Sequence, residues 1–175
     1  MMRFVILALA LLGAVACGGD ESHGDPACAF DETACVPYNL IFVLQRESDG
    51  PTAILHASSP TGEWQQKGER GEMEWVSPEG TRVQEESGGV VLPDAEPGRV
   101  AVRIDVIADG DAERADLRII RRHPEDHRSL GVEGESPLSR DPTRFRLEIG
   151  AEYILHLRAA WPEGEAEFFF LVRVA

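Results

Sequence analysis

The chain has 175 residues, with 17 lysines and arginines against 31 acidic residues and a formal net charge of −14 at pH 7. A chain this acidic is a poor candidate for binding nucleic acid, whose phosphates demand a basic face, or for peripheral adsorption to anionic lipid. About 140 residues follow Cys35. That length suits one domain with a real core and is too short for two.

The first 17 residues combine a short positive start, an apolar run and a cysteine. Met1-Met2-Arg3 precedes an uninterrupted apolar run of 12 residues from Phe4 to Val15, and Ala14-Val15-Ala16-Cys17 follows. The run falls short of the roughly 20 residues that cross a bilayer as a helix. The arrangement resembles a bacterial lipoprotein signal peptide with its lipobox. An ordinary secretory signal followed by a coincidental cysteine is the alternative.

The resemblance implies a processed and anchored protein. Residues 1–16 would be removed, and Cys17 would become the N-terminus and carry a diacylglycerol. More than one acyl chain is enough for stable anchoring. We therefore expect an exported protein held on a bacterial membrane, at the periplasmic face of the outer membrane or at the cell surface. Residues 17–36 would form a flexible tether.

Lipidation of Cys17 would leave one cysteine pair, Cys28 and Cys35. We expect a disulfide, which would close a loop of eight residues and contribute roughly 2.5 kcal/mol by loop entropy. A metal pair or a redox pair is the alternative, but both usually show a spacing of two residues. The sequence therefore favours a structural staple inside the tether.

Short strands are predicted along the rest of the chain. Their apolar residues form short runs or alternate with polar ones, and the predicted spans are 39–45, 52–57, 72–76, 100–106 and 115–121. The 39–45 run is nearly all apolar, which is typical of a strand covered on both sides. The last two spans are predicted to pair as a hairpin around the 109–114 loop. No apolar pattern supports a helix of ordinary length.

Proline and glycine mark the predicted turns. A Pro-x-Gly pattern occurs three times, in Pro60-Thr61-Gly62, Pro78-Glu79-Gly80 and Pro162-Glu163-Gly164, and Pro97-Gly98 is a variant of it. Proline presets one turn torsion and glycine accepts a conformation that other residues resist. The polar stretch from residue 123 to 142 is predicted to be a long connection that crosses between two sheets.

The clearest strand pattern lies near the C-terminus, where three alternating runs cover residues 144–149, 152–158 and 167–174. Between the first two, Leu147-x-x-Gly150-x-x-Tyr153-x-Leu155 resembles the tyrosine corner of immunoglobulin and fibronectin type III sandwiches. Antibody domains place a cysteine where Leu155 stands, so the resemblance is to disulfide-free sandwiches. It implies that Gly150 and Tyr153 are structural, with the tyrosine hydroxyl bonded to upstream backbone. We predict an all-β, antiparallel two-sheet Ig-like sandwich of about 8–10 short strands over residues 37–175.

Candidate chemistry is sparse. His123 and His127 flank two carboxylates, so a surface metal site is conceivable, but Pro124 disfavours the helix that would align such ligands. The acidic 109–113 loop hints at a calcium site, yet Arg114 stands where the turn glycine of an EF-hand belongs, and a plain turn is favoured. The sequence has no nucleophile elbow and no phosphate-binding loop. His56 and His156 fall in strand patterns and are expected on sheet faces.

The three tryptophans are assigned by their surroundings. Trp75 is expected to face the core, and Trp161 ends a strand beside a turn. Trp64 lies in the polar stretch Gly-Glu-Trp-Gln-Gln-Lys. It could anchor a partner or pack over the hydrophobic core, and we favour the second role.

Two function classes follow from the sequence. The first is a lipid-tethered, non-catalytic envelope module that binds a protein, peptide or glycan through loops or a sheet face; a protease inhibitor with a rigid loop belongs here. The second is a metal-assisted envelope enzyme centred on His123 and His127. The missing catalytic motifs favour the binding module, with no cofactor and no nucleic-acid partner.

Overall fold

The computed structural model describes residues 38–47, 49–60, 62–77, 79–86, 96–123, 125 and 128–175. The predictions for the signal peptide, the tether, Cys17, Cys28, Cys35 and His127 therefore lie outside the described residues. Within the described ranges the regular structure is all β, as predicted. None of these residues forms a helix long and apolar enough to cross a membrane.

Twelve strands are assigned in the described part of the chain. They are β1 Tyr38–Glu47, β2 Gly50–Ser59, β3 Gly62–Lys67, β4 Glu69–Val76, β5 Arg82–Glu85, β6 Gly98–Val100, β7 Arg103–Gly110, β8 Arg114–Arg122, β9 Ser129–Leu138, β10 Thr143–Arg146, β11 Glu152–Trp161 and β12 Gly164–Val174. Each predicted span coincides with one or two of these strands. The count exceeds the predicted 8–10 because short edge strands, such as β5 and β6, have too few residues to show a pattern.

The strands form two packed sheets, so the predicted β-sandwich is confirmed. One sheet has five strands in the order β10-β7-β1-β2-β3, and the other has seven, in the order β5-β4-β12-β11-β8-β9 with β6 also paired to β12. Most neighbours are antiparallel, but β1 pairs with β7 and β6 pairs with β12 in parallel. The prediction of a purely antiparallel arrangement was therefore wrong at these two places.

The core lies between the sheets and is built by alternation. On β1, Leu40, Phe42 and Leu44 are buried, whereas Ile41 and Val43 on the opposite face are only half-buried. The expectation that this strand is covered on both sides was therefore only partly correct. Phe42 meets Phe170 of β12 across the interface, with ring centroids 5.1 Å apart. Burying a side chain of this size contributes on the order of 1.5–3 kcal/mol.

The outer face of the seven-stranded sheet carries a second apolar cluster. Ile154, Phe169 and Leu171 alternate with core-facing residues on β11 and β12, and Ile120 joins them from β8. All four are buried, with at most 6% of any of them exposed. The alternation placed Ile154, Phe169 and Leu171 on the face away from the main core, which was predicted to face water, and their burial corrects that prediction.

The predicted hairpin between β7 and β8 was wrong, because the two strands belong to different sheets. Gly110 at the end of β7 pairs with Leu44 in the five-stranded sheet, while the Glu113 N–H donates to the Ala160 carbonyl of the other sheet. Gly110 has a φ of 132°, and an added Cβ would lie 2.2 Å from the Leu44 carbonyl oxygen. The chain can turn between the sheets here because glycine tolerates that approach.

The predicted crossing connection over residues 123–142 was only partly correct. Ten of these residues form β9, an edge strand paired antiparallel with β8. The crossing to β10 is confined to the residues that follow Leu138. Most β9 side chains are exposed, and therefore no hydrophobic alternation marked the strand. Pro137 lies in it without conflict, since an edge strand tolerates a missing N–H donor.

Three of the four predicted proline and glycine turns separate strands that pair as antiparallel neighbours, namely β2 with β3, β4 with β5 and β11 with β12. The fourth, Pro97-Gly98, instead leads into β6, which pairs in parallel with β12.

The sandwich has two ends, which we name by β1. At the Tyr38 end, Tyr38 pairs with Ile104 in the five-stranded sheet, and Ala175 N–H bonds to the Val100 carbonyl beside β6 of the seven-stranded sheet. Residues 101–102 connect β6 to β7 and so join the two sheets at this end. The Arg46 end holds the β1–β2, β4–β5, β7–β8, β9–β10 and β11–β12 connections. The chain therefore enters the described domain at the Tyr38 end, in the middle of a sheet.

Candidate functional surfaces

The Tyr38 end contains the segment that resembles a tyrosine corner. Tyr153 is fully buried, and its hydroxyl oxygen accepts a hydrogen bond of 3.1 Å from the backbone N–H of Glu148, five residues upstream. Gly150 adopts a φ of 75° and donates its N–H to the Val174 carbonyl. This is the contact that the tyrosine-corner hypothesis requires. Burial is the main cause that raises the pKa of Tyr153.

A buried ionic group lies beside the corner. Glu152 exposes only 4% of its side chain and accepts hydrogen bonds from the Arg173 guanidinium, the Nε bond being 3.0 Å long. The Nε of Arg122, itself 8% exposed, lies 3.9 Å from the other carboxylate oxygen. A buried carboxylate needs such partners because desolvation penalises an unpaired charge. This group joins β8, β11 and β12 at the Tyr38 end.

The Arg46 end is held by a second polar network that joins three connections. The Asp111 carboxylate accepts a hydrogen bond of 2.9 Å from the indole N–H of Trp161 and another from Arg46. Arg46 also donates to Glu163 over 2.9 Å. Trp161 packs edge-on against Trp75, with ring centroids 5.7 Å apart. The β1–β2, β7–β8 and β11–β12 connections are thereby tied into one surface.

The electrostatics of this network follow from its contacts. Burial acts to raise the pKa of the Asp111 carboxyl, but hydrogen bonds from Trp161 and Arg46 outweigh it and hold the pKa below its ordinary value. The hydrogen bond to Asp111 is the largest cause that raises the pKa of Arg46. Both groups are therefore charged at neutral pH. Arg46 pairs with the Asp111 and Glu163 carboxylates and so neutralises the ligands that a metal cation would need here.

A cleft of about 470 Å³ opens on the outer face of the seven-stranded sheet near the Arg46 end. Its lining includes six glutamates, Glu72, Glu74, Glu85, Glu86, Glu165 and Glu167. Arg158 is the basic residue of the lining, and it donates to Glu165 over 2.5 Å. Arg82 pairs with Glu74 and Arg70 pairs with Glu85, so the negative charge of the cleft is partly neutralised.

His156 lies next to the cleft on the outer apolar cluster. Its ring stacks on Phe169 with centroids 4.5 Å apart, and its Nε2 lies 3.4 Å from a Glu167 oxygen without a hydrogen bond. Burial is the largest cause that lowers the pKa of His156, although Glu167 opposes it. His56, by contrast, is exposed. The expectation that both histidines lie on sheet faces agrees with these positions.

The metal hypotheses gain no support from the described residues. His123 uses its Nδ1 to accept the Glu125 backbone N–H at 3.3 Å, and its backbone N–H bonds to the Arg128 carbonyl, so it forms part of the β8–β9 turn. His127 lies outside the described part. Among the described residues, no group of three or more His, Cys, Asp or Glu could hold a metal. In the 109–113 loop, Asp109 accepts the Gly110 N–H, which is turn chemistry.

The tryptophans lie as the sequence indicated. Trp75 and Trp161 are buried. Trp64 packs against the core over Gly98 and donates its indole N–H to the Arg99 carbonyl at 2.9 Å. The interpretation of Trp64 as a cover was therefore correct.

Sequence reasoning missed the charged residues that form the polar network at each end of the sandwich. Arg46 and Asp111 are separated by 65 positions, and Glu152 reads as a solvent-facing residue in an alternating strand. No local pattern distinguishes them from the other charged residues of an acidic chain. No protein-family model, curated protein or solved structure matches this chain. The functional argument therefore depends on its own residues.

Proposed function

We propose that this protein is a lipid-anchored protein of the bacterial cell envelope whose β-sandwich is a non-catalytic binding module for a protein, peptide or glycan. The anchor part rests on the apolar run that ends in Ala-Val-Ala-Cys17. The binding part rests on the scaffold, since loops positioned by a rigid sandwich commonly serve recognition.

The observation that carries the proposal is the tied surface at the Arg46 end. Three connections are held together by Arg46, Asp111, Trp161 and Glu163. A preformed surface loses little conformational entropy on binding. It also lies opposite the point where the chain enters the domain, so an anchored module would present it away from the membrane.

The anchor is tested by a Cys17→Ser variant expressed in a bacterial host. The wild-type protein is expected in the membrane fraction, labelled by a fatty-acid probe, and the variant in the soluble exported fraction. Membrane retention of unlabelled Cys17→Ser protein would contradict lipidation. Metal analysis of the same purified protein tests the enzyme alternative, because stoichiometric transition metal, lost in a His123→Ala, His127→Ala variant, would favour it.

The recognition surface is tested by a photo-crosslinking amino acid placed at single exposed sites in the full chain. Glu79 and Arg140 sample the Arg46 end, and Gln65, exposed on β3, is the matched control. The expected result is a discrete crosslinked species from the first two sites and none from Gln65. Equal crosslinking from all three positions would contradict a dedicated surface at this end.

A further inference from the structure

A second, smaller cavity opens at the Arg46 end, between the two sheets. Its volume is about 220 Å³, and its walls include the β7–β8 and β9–β10 connections, which cross from one sheet to the other. The apolar residues of its lining are Leu44, Ala108, Ala112, Ala115 and Leu138. All five belong to the main hydrophobic core or pack against it. The cavity is therefore an open end of that core.

Backbone hydrogen bonds hold the walls of this cavity in place. The Ala108 N–H of β7 donates to the Ser139 carbonyl over 2.9 Å, which fixes the β9–β10 connection. The Glu113 N–H donates to the Ala160 carbonyl of β11 over 2.8 Å, which fixes the β7–β8 connection. A cavity with such walls exists before a ligand arrives, so little conformational entropy is lost on binding.

The interior of the cavity selects an aliphatic group. Alanine and leucine side chains offer no hydrogen-bond partner, so a hydroxyl group placed among them would lose its bonds to water without replacement. Ser139, also in the lining, uses its Oγ to accept the Asp141 N–H over 3.1 Å and to donate to the Asp141 carbonyl. A sugar ring, which carries several hydroxyls, therefore fits this interior poorly, whereas an aliphatic side chain fits it well.

Both arginines at the mouth of the cavity already have acidic partners. Arg140 lies 3.5 Å from Asp109, and Arg114 lies 3.0 Å from Asp116. Glu113, by contrast, lines the cavity, is exposed, and forms no ion pair with any residue in the described part of the chain. The mouth therefore presents one carboxylate whose charge no arginine neutralises.

The wider surroundings add to this negative charge. Asp141, next to Arg140, is another exposed carboxylate without an ion pair among the described residues. The whole chain carries a formal charge of −14. A positively charged ligand is therefore attracted both at long range and at Glu113, and a second copy of this acidic chain is repelled.

We propose that this cavity binds an aliphatic side chain of a partner polypeptide, with a lysine, an arginine or a free N-terminal amino group of the same segment beside Glu113. The inference rests on the proposed binding function of the Arg46 end, and it names a polypeptide and not a glycan as the ligand. A peptide segment supplies both groups at once, because neighbouring residues can carry the apolar side chain and the cation.

The probe is a phage-displayed library of random heptapeptides, selected against the full-length protein in detergent. Peptides that place leucine, isoleucine or valine next to lysine or arginine are expected to be enriched. The affinity of one such synthetic peptide is then measured by fluorescence anisotropy at low and at high salt. It should weaken as salt rises, because salt screens the charge of an exposed carboxylate.

Two substitutions locate the peptide. Ala112→Leu fills the cavity and should lower the affinity by roughly tenfold or more, since the ligand side chain is no longer buried. Glu113→Gln should lower the affinity by about threefold and reduce its salt dependence. Ala101→Leu and Glu63→Gln make the same changes at a half-buried alanine and an exposed glutamate of the Tyr38 end, and they should leave the affinity unchanged. Thermal unfolding verifies that each variant folds, and Glu113→Gln at its exposed position decides the matter if Ala112→Leu does not fold.

The outcomes separate this inference from the binding function on which it rests. Enriched peptides whose affinity is the same for Ala112→Leu, Glu113→Gln and the wild type would overturn the cavity as their site and leave the binding module standing. No enriched peptide, together with a crosslinked species from Arg140, would indicate a ligand of another class, such as a glycan, and overturn the inference alone. Neither peptides nor crosslinks would contradict both proposals.

Discussion

The two ends of the sandwich use the same ionic chemistry at different depths. At the Tyr38 end, Glu152 and Arg122 expose 4% and 8% of their side chains, whereas Arg46 and Asp111 at the other end expose 43% and 44%. Breaking a buried pair leaves an uncompensated charge, but exposed pairs contribute little because water and salt screen them. The ion pairs of the Tyr38 end are therefore expected to contribute more to stability than those of the Arg46 end.

The largest expected effect is that of removing the buried carboxylate. Glu152→Ala removes a carboxylate that lies beside buried Arg122 and accepts hydrogen bonds from Arg173, so we expect a loss of about 3 kcal/mol in the free energy of unfolding. Urea denaturation measures it. Glu165→Ala, which removes the partner of exposed Arg158, is the control and should change stability by no more than about 0.5 kcal/mol. Equal losses would remove the distinction between the ends.

The tyrosine corner gives the next largest effect. Tyr153→Phe removes the acceptor of the Glu148 N–H in a fully buried site, and we expect a loss of about 1–3 kcal/mol. Tyr38→Phe, at a half-buried tyrosine of the same end, should stay within about 0.5 kcal/mol. A near-neutral Tyr153→Phe would count against the corner and not against the sandwich.

At the Arg46 end, Asp111→Ala tests the one buried donor of the network. It leaves the Trp161 N–H, on a side chain that is 4% exposed, without an acceptor, and we expect a loss of about 1–2 kcal/mol. Asp111→Asn keeps an acceptor and should recover most of this stability. If Asp111→Asn is as unstable as Asp111→Ala, the charge pair with Arg46 matters more than the tryptophan.

The smallest effect concerns His156, between the ends on the outer face. Its folded-state pKa is lowered, chiefly by burial, so the unfolded chain binds the proton more tightly. The contribution of neutral His156 to the free energy of unfolding should be fully present above the ordinary histidine pKa of about 6.5. It should be lost progressively as the pH drops below that value. Thermal unfolding between pH 8 and 5 measures this. His156→Gln should flatten the decline, and exposed His56→Gln should leave it unchanged.

The strands were predictable where one face is buried, and their partners were not. Phe168, Phe170 and Val172 alternate with outward residues, and this period identifies β12 from the sequence alone. The same alternation in β7 predicts which of its residues face the core. It does not predict the neighbouring strand, because alternation carries no information on which strand pairs with which. The parallel β1–β7 pair therefore could not be derived.

The candidate surfaces were less predictable than the fold. The pattern that resembles a tyrosine corner is local, so Gly150 and Tyr153 could be singled out from the sequence. Arg46 and Asp111 meet only because Gly110 turns the chain from one sheet to the other, which no spacing shows. The juxtaposition of Arg99 and Arg173 depends on register, since these residues become neighbours only when β6 pairs with β12.

The parallel pairing of β1 with β7 determines how the domain folds. Tyr38 finds Ile104 only after the intervening strands have been synthesised, and β12, the last strand, lies inside the other sheet. Both sheets thus depend on contacts between residues far apart in the chain, a high contact order that is typical of folding in milliseconds to seconds. A nascent chain lacking β12 has all the strands of the five-stranded sheet, but its β4 and β11 lack the strand that joins them in the seven-stranded sheet. We therefore expect the seven-stranded sheet to form only after β12 has been synthesised.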